Sequence, residues 1–134
     1  MTRYRDRLPQ LGDAPFLTDG GIETTLILHE GLDLPHFAAF DLLRSDTGRS
    51  ALDRYFGTYA DLAARFDAGL VLESATWRAS PDWAARLGYD EAALDAANRE
   101  AVRMLERLRE EREAPGTPMA VSYTHLRAHE TKAN

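Results

Sequence analysis

Two carboxylates, Asp19 and Glu73, offer the clearest chemistry in this sequence. Asp19 stands in "FLTDGGIETTL", Phe16 to Leu26, at the end of a short apolar run and directly ahead of Gly20 and Gly21. Glu73 stands in "LVLESATW", with Thr76 and Trp77 close behind it. Two carboxyl groups at neighbouring strand ends can act as acid and base in a hydrolase or lyase. The plain alternatives stay open at this point. Asp19 can be a turn former in an Asp-Gly pair. Glu73 can pair with Arg78 and orient a loop, and the Thr76 hydroxyl can bond locally at a helix start. His125 and His129 have the i,i+4 spacing of a helical metal pair, but two histidines without a further ligand point only weakly to zinc. The chain has no cysteine, so thiolate metal sites and disulfides are excluded.

The elements that would position these residues alternate between strand and helix. "APFLT" reads as a short strand ending just before Asp19. Residues 22–29, "IETTLILH", read as a short helix stopped by Gly31. "LDLPHFAAFDLL" holds no clean period. It reads as a long loop folded back over a core, with a helical turn near Phe40 to Leu43 and with His36 able to reach a site mouth. Ordered loops of that length often carry function. "SALDRYFGTYADLAARFDAG" predicts a helix over about 51–67, with Ser50 as N-cap, Asp53 at N3 and Gly69 as a left-handed C-terminal position. Gly57 weakens its interior slightly. The apolar run Leu70 to Leu72 predicts a strand covered on both faces, ending at Glu73. Ser80 then caps a helix with Pro81 at N1 and Gly88 at its end. Asp90 caps a longer helix over about 91–112, whose face is Leu94, Ala97, Ala101, Leu105 and Leu108. "MAV" opens a third strand. Strand, helix, strand, helix, strand is the order of an α/β fold with a parallel sheet, whose ligands bind at the carboxyl ends of the strands. Asp19, Glu73 and Thr76 fall at those ends. Gly20 and Gly21 then keep side chains out of a tight turn or away from a close ligand.

Composition narrows the function classes. At 44% hydrophobic the 134-residue chain is globular, and with no basic stripe and a formal charge of -6 it does not suit nucleic acid. No apolar run approaches the length that spans a membrane, and the N-terminus lacks the apolar core of a signal peptide. A cytoplasmic protein is the expectation. The pattern breaks after Val121: "SYTHLRAHETKAN" supplies neither a loop nor a covering helix for the third strand. It reads as an α/β chain cut short and joined to unrelated residues, and it also resembles a translated sequencing-adapter remnant. The divisions are therefore a lead-in over 1–13, an α/β segment over 14–121 and an unrelated or disordered tail over 122–134. An open three-stranded sheet exposes edges and apolar faces, so self-association is expected.

Three blocks in this order, "LTDGGIETTLI", "GLDLPHFAAFDLL" and "VLESATWRASPDWAARLGY", resemble homocysteine S-methyltransferases over about residues 14–121. The resemblance implies a (β/α)8 TIM barrel of roughly 300 residues, of which this chain is an N-terminal fragment with the first two βα units and the third strand. It implies methyl transfer to the thiol of homocysteine to give methionine. The implied partners are a thiol amino acid and a methyl donor such as S-methylmethionine, betaine or a cobalamin and folate pair. In that family zinc is held by three cysteines, one after the sixth strand and an adjacent pair after the eighth. None is present here, so no metal or cofactor is expected for this chain alone, and it is expected to be inactive by itself. By the same resemblance Asp19 matches an aspartate that helps hold the substrate's amino group. Gly20 and Gly21 match glycines at the substrate's polar end, and Glu73 an acidic position ending the second strand. Thr76 matches the threonine of an Asn-Thr-aromatic motif with Trp77 as its aromatic. Ala75 stands where many members have asparagine, which leaves the thiol acceptor open.

Overall fold

The computed structural model describes Tyr4 and residues 6–123, and the expectations for His125, His129 and most of the tail lie outside the described residues. Three short strands form one parallel sheet in the order β1-β2-β3: β1 is Phe16–Thr18, β2 is Gly69–Glu73 and β3 is Met119–Ser122. Leu17 aligns with Leu70, and Leu70 with Met119, so every second residue of the three strands shares a face. Leu70, Leu72 and Met119 on that face are buried in the core, with Leu17 and Val121 packed beside them. The alternate positions carry Thr18 and Glu73, which are exposed, Val71, which is half-buried, and Ala120, which is buried. Cover on both faces of β2 was expected, and the structure corrects this. Two successive crossovers step the same way across the sheet, and right-handed crossovers then place both covering helices on one side. β3 also runs one residue past Val121, where Ser122 pairs with Glu73.

The first crossover carries α1, Ile22–Leu28, and α2, Asp46–Arg65. α2 begins earlier than the sequence pattern suggests. Asp46, Thr47 and Gly48 are weak helix formers, but Ser45 is the N-cap and its hydroxyl accepts the Gly48 N–H at 3.0 Å. Ser50 and Asp53 therefore lie inside the helix and not at its start. Leu52, Tyr55, Phe56, Ala60 and Ala63 form the buried stripe. At the far end the left-handed residue is Asp67, with φ of 49°, and Gly69 is already the first residue of β2. Gly69 serves a different purpose: a Cβ there would collide with the Phe16 ring on the neighbouring strand.

Between α1 and α2 the chain makes two 3-10 turns, Pro35–Phe37 and Ala39–Arg44. Leu34, Ala38, Ala39, Phe40 and Leu43 bury completely or nearly so. The expected fold-back over the core is thus observed, and this segment is itself part of the core. His36 and Phe37 both take positive φ, at 54° and 58°. For such side chains that conformation costs energy and is held by its surroundings.

The second crossover carries α3, Pro81–Arg86, and α4, Glu91–Arg112. Ser80 sits at the N-cap of α3, but its hydroxyl makes no capping bond. Gly88, with φ of 81°, supplies the left-handed turn after it. Asp90 caps α4 as expected, accepting the Ala93 N–H at 2.7 Å. Leu94, Ala97, Ala101, Met104 and Leu105 bury, and Arg109 and Arg112 in the last turn complement the helix dipole. An ion pair from Arg112 to Asp61 ties α4 to α2. In the lead-in, a 3-10 turn spans Pro9–Leu11, and Leu8 and Leu11 are exposed. Among the described residues no helix is long and apolar enough to cross a membrane.

Candidate functional site

β1 ends at Thr18 and β2 at Glu73, so the turns that follow both strands open on the same edge of the sheet. Asp19, Gly20, Glu23, Glu73, Ala75 and Trp77 line one cleft of about 210 Å³ there. The structure therefore brings Asp19, Gly20, Glu73 and Trp77 together, as the sequence predicts. It does not bring Gly21 or Thr76 to the cleft wall. Thr76 is fully buried beneath it. Its hydroxyl shares a 2.7 Å hydrogen bond with that of Ser74, its N–H donates to the Ser74 carbonyl at 2.8 Å, and its carbonyl accepts the Ala79 N–H at 3.0 Å. Its place is to lock the turn that carries Ala75 and Trp77.

The glycines are not required by left-handed backbone, since neither has positive φ. Gly20 is crowded instead: a Cβ would sit 3.2 Å from the Tyr59 hydroxyl. Gly21 would meet only ordinary contact with Thr24.

Three residues that the sequence reading passed over shape the site. Tyr55 donates its hydroxyl to Asp19 Oδ2 at 2.8 Å and lies 3.2 Å from the Gly20 carbonyl oxygen. Tyr59 accepts the Gly20 N–H at 3.0 Å. Both read as part of the helical apolar stripe, and only their i,i+4 spacing on one face hinted that two hydroxyls emerge together. Glu23 follows Asp19 by one helical turn in the first turn of α1 and adds a third carboxylate.

Burial pushes the Asp19 carboxyl up from its ordinary 3.8, the Tyr55 hydrogen bond opposes this, and Glu73 raises it further. Burial likewise raises Glu23 from 4.5, its own backbone N–H opposes, Asp19 raises it and Arg78 lowers it. Burial and the bond to Asp19 push the Tyr55 hydroxyl well upward. Carboxyls raised in the folded state hold protons more tightly there than in the unfolded chain. Their contribution to stability is complete below 3.8 and 4.5 and is lost as pH rises through the elevated folded values. Glu23→Gln is accordingly expected to raise the melting temperature at pH 7 and to leave it unchanged at pH 3. Melting curves at the two pH values check this, and an equal effect at both would rule out charge repulsion as its source.

Arg78 is engaged away from Glu73. Its Nη1 donates to the His36 carbonyl at 2.6 Å, and its guanidinium lies 4.5 Å from the Trp77 ring centre and 4.1 Å from that of Trp83. The His36 ring meets Trp83 at 6.0 Å. Arg78 thus pins the strained 35–37 turn to the aromatic edge of the cleft, and His36 serves that junction without lining the cleft.

A larger hollow of about 490 Å³, lined by Leu43, Arg44, Tyr89, Ala93 and Ala97, lies away from the strand ends. Arg44 there is tied to Asp41, to the Leu87 carbonyl and to the Tyr89 ring, and the rest of the lining is mostly apolar. The reactive groups are at the strand ends.

Fold and site together define a mixed α/β chain with a small parallel sheet and an acidic cleft at its carboxyl edge. No protein-family model, curated protein or solved structure matches the chain.

Proposed function

We propose that residues 14–121 are the amino-acid-binding part of a homocysteine S-methyltransferase-like (β/α)8 barrel. The observation that carries this reading is the convergence of Asp19, Glu23 and Glu73 beside Trp77 at the carboxyl ends of adjacent parallel strands. Partly buried carboxylates that repel one another are relieved by a cation. A substrate ammonium supplies one through charge-assisted hydrogen bonds. Trp77 gives the cleft an apolar wall for the carbon chain. The sheet supports the barrel reading as well. Both crossovers cover one face, and the other carries the small or half-buried Thr18, Val71 and Ala120, which suits a barrel interior.

Sulfur activation in that family rests on zinc, which would lower the thiol's pKa. The residues of this chain do not fit it. There is no cysteine, and among the described residues no three His, Cys, Asp or Glu are grouped to hold a metal ion. What these residues do is bind and orient the amino-acid end. No methyl transfer is assigned to this chain alone.

A second reading, a barrel hydrolase or lyase using Asp19 and Glu73, draws on the raised Asp19 carboxyl, which suits proton transfer nearer neutral pH. The two readings separate by ligand. Calorimetric titration is expected to show binding of L-homocysteine and much weaker binding of 4-mercaptobutanoate, which lacks only the amino group. Asp19→Asn is expected to weaken homocysteine binding by about 2 kcal/mol, roughly 30-fold. Equal affinity for the two ligands, or no homocysteine binding by the unmodified chain, would overturn the amino-acid reading.

A further inference from the structure

The turn that carries Asp19 is gripped from below by one helix. Tyr55 and Tyr59 lie one turn apart on α2, with ring centres 5.3 Å apart at 62°. One hydroxyl donates to Asp19 Oδ2 at 2.8 Å, and the other accepts the Gly20 N–H at 3.0 Å. Tyr55 is only 4% exposed, and Phe56 stacks edge-on against it at 5.2 Å, so its hydroxyl is aimed by packing rather than by solvent. A side chain so confined can do more than fill space. It can hold a carboxylate in one orientation and keep it charged.

We infer that Tyr55 is a positioning residue that orients the Asp19 carboxylate and holds it ionised for a ligand ammonium, with Tyr59 anchoring the adjoining backbone. The inference rests on the reading above that Asp19 receives the amino group. The groups that act on or beside Asp19 are Tyr55 from α2, Glu23 from α1 and Glu73 from the end of β2, with Tyr59 bonded to the adjoining Gly20 and Arg78 acting on Glu23. The two side chains that act on the Asp19 carboxyl do so in opposite senses: the Tyr55 hydroxyl lowers its pKa and Glu73 raises it. A hydrogen bond to the charged form favours that form. Removing the hydroxyl therefore leaves burial and Glu73 unopposed by it. Asp19 should then hold its proton to higher pH, and ammonium binding should fail at a higher pH on the acid side.

The test is Tyr55→Phe, which keeps the ring and the packing. Homocysteine affinity is measured by calorimetry from pH 4 to about pH 8, the range that brackets carboxylate titration. The Asp19 carboxyl is titrated in parallel by carbon-13 NMR. Affinity at neutral pH is expected to fall about tenfold. The acid limb of the binding profile and the Asp19 titration are expected to move together to higher pH. Thr58→Val removes an exposed hydroxyl of the same helix, one bonded to the Arg54 carbonyl, and is expected to leave the acid limb in place. An unchanged Asp19 titration in Tyr55→Phe, with or without lost affinity, overturns the inference while leaving the amino-acid reading intact. An equal shift in Thr58→Val also overturns it, since that would be a general effect of altering α2. Failure of the unmodified chain to bind homocysteine sinks the amino-acid reading, and the inference falls with it.

Discussion

Gly48→Ala is expected to destabilise the fold by about 3 kcal/mol, at the upper end of what overpacking usually costs. A Cβ at Gly48 would lie 2.8 Å from the Leu42 carbonyl carbon and closer still to its oxygen. These are backbone atoms, so no side chain can swing away. The 3-10 turn Ala39–Arg44 and the first turn of α2 would have to separate, and with them Ser45, whose hydroxyl caps the helix through the Gly48 N–H. The control is in the same helix. A Cβ at Gly57 meets nothing within 4 Å. Gly57→Ala is therefore expected to stabilise by about 0.5–1 kcal/mol, the ordinary helix-propensity difference. Urea midpoints at constant m-value measure both. Destabilisation by both variants, or by neither, would refute the close approach at Gly48.

Phe40→Ala is expected to cost about 3–5 kcal/mol, the usual range for emptying a buried phenylalanine site. Phe40 is fully buried, with its ring edge-on to Tyr89 at 5.1 Å. The neighbouring Leu43, Ala39 and Ala38 are buried with it, so the void has little freedom to collapse. The consequence separates two views of residues 32–43. A surface loop folded over a finished core would tolerate the change within about 0.5 kcal/mol. A segment that forms part of the core would not. A loss this large is a substantial share of the 5–15 kcal/mol that holds a typical domain together. Tyr89 also donates its hydroxyl to Asp41 at 2.9 Å, so loss of the Phe40 ring should loosen the α3–α4 connection as well. Amide hydrogen exchange around Gly88 and Tyr89 is expected to quicken.

Both expectations concern packing that the sequence showed only in outline. Local pattern was enough to place α4 from Glu91, because Asp90 caps it and the apolar residues recur at helical spacing. Local pattern also set β2 and β3, since Leu70 to Leu72 and "MAV" are short apolar runs between turn residues. The strand–helix–strand order then called for parallel strands joined by right-handed crossovers, with Asp19 and Glu73 at ends on the same edge. The helix and strand boundaries depend on neighbours within one or two turns along the chain, and the strand–helix order supplies the rest.

What only the tertiary structure decided turns on three-dimensional contacts that the pattern of residue types does not show. The start of α2 is one case: Asp46, Thr47 and Gly48 are poor helix formers, and the helix begins there because Gly48 lets the Leu42 carbonyl approach. Gly69 is another, reading as a helix terminator until the Phe16 ring is seen to lie against it. Thr76 reads as a ligand group by motif and is instead buried in the turn, because the Ser74 hydroxyl claims it. Tyr55 and Tyr59 are indistinguishable from other apolar-stripe residues until α2 is laid under the β1–α1 turn, which brings a hydroxyl 36 residues away onto Asp19. Periodicity reports which face of a helix is buried. It does not report what that face is buried against, and here that decides which residues hold the site.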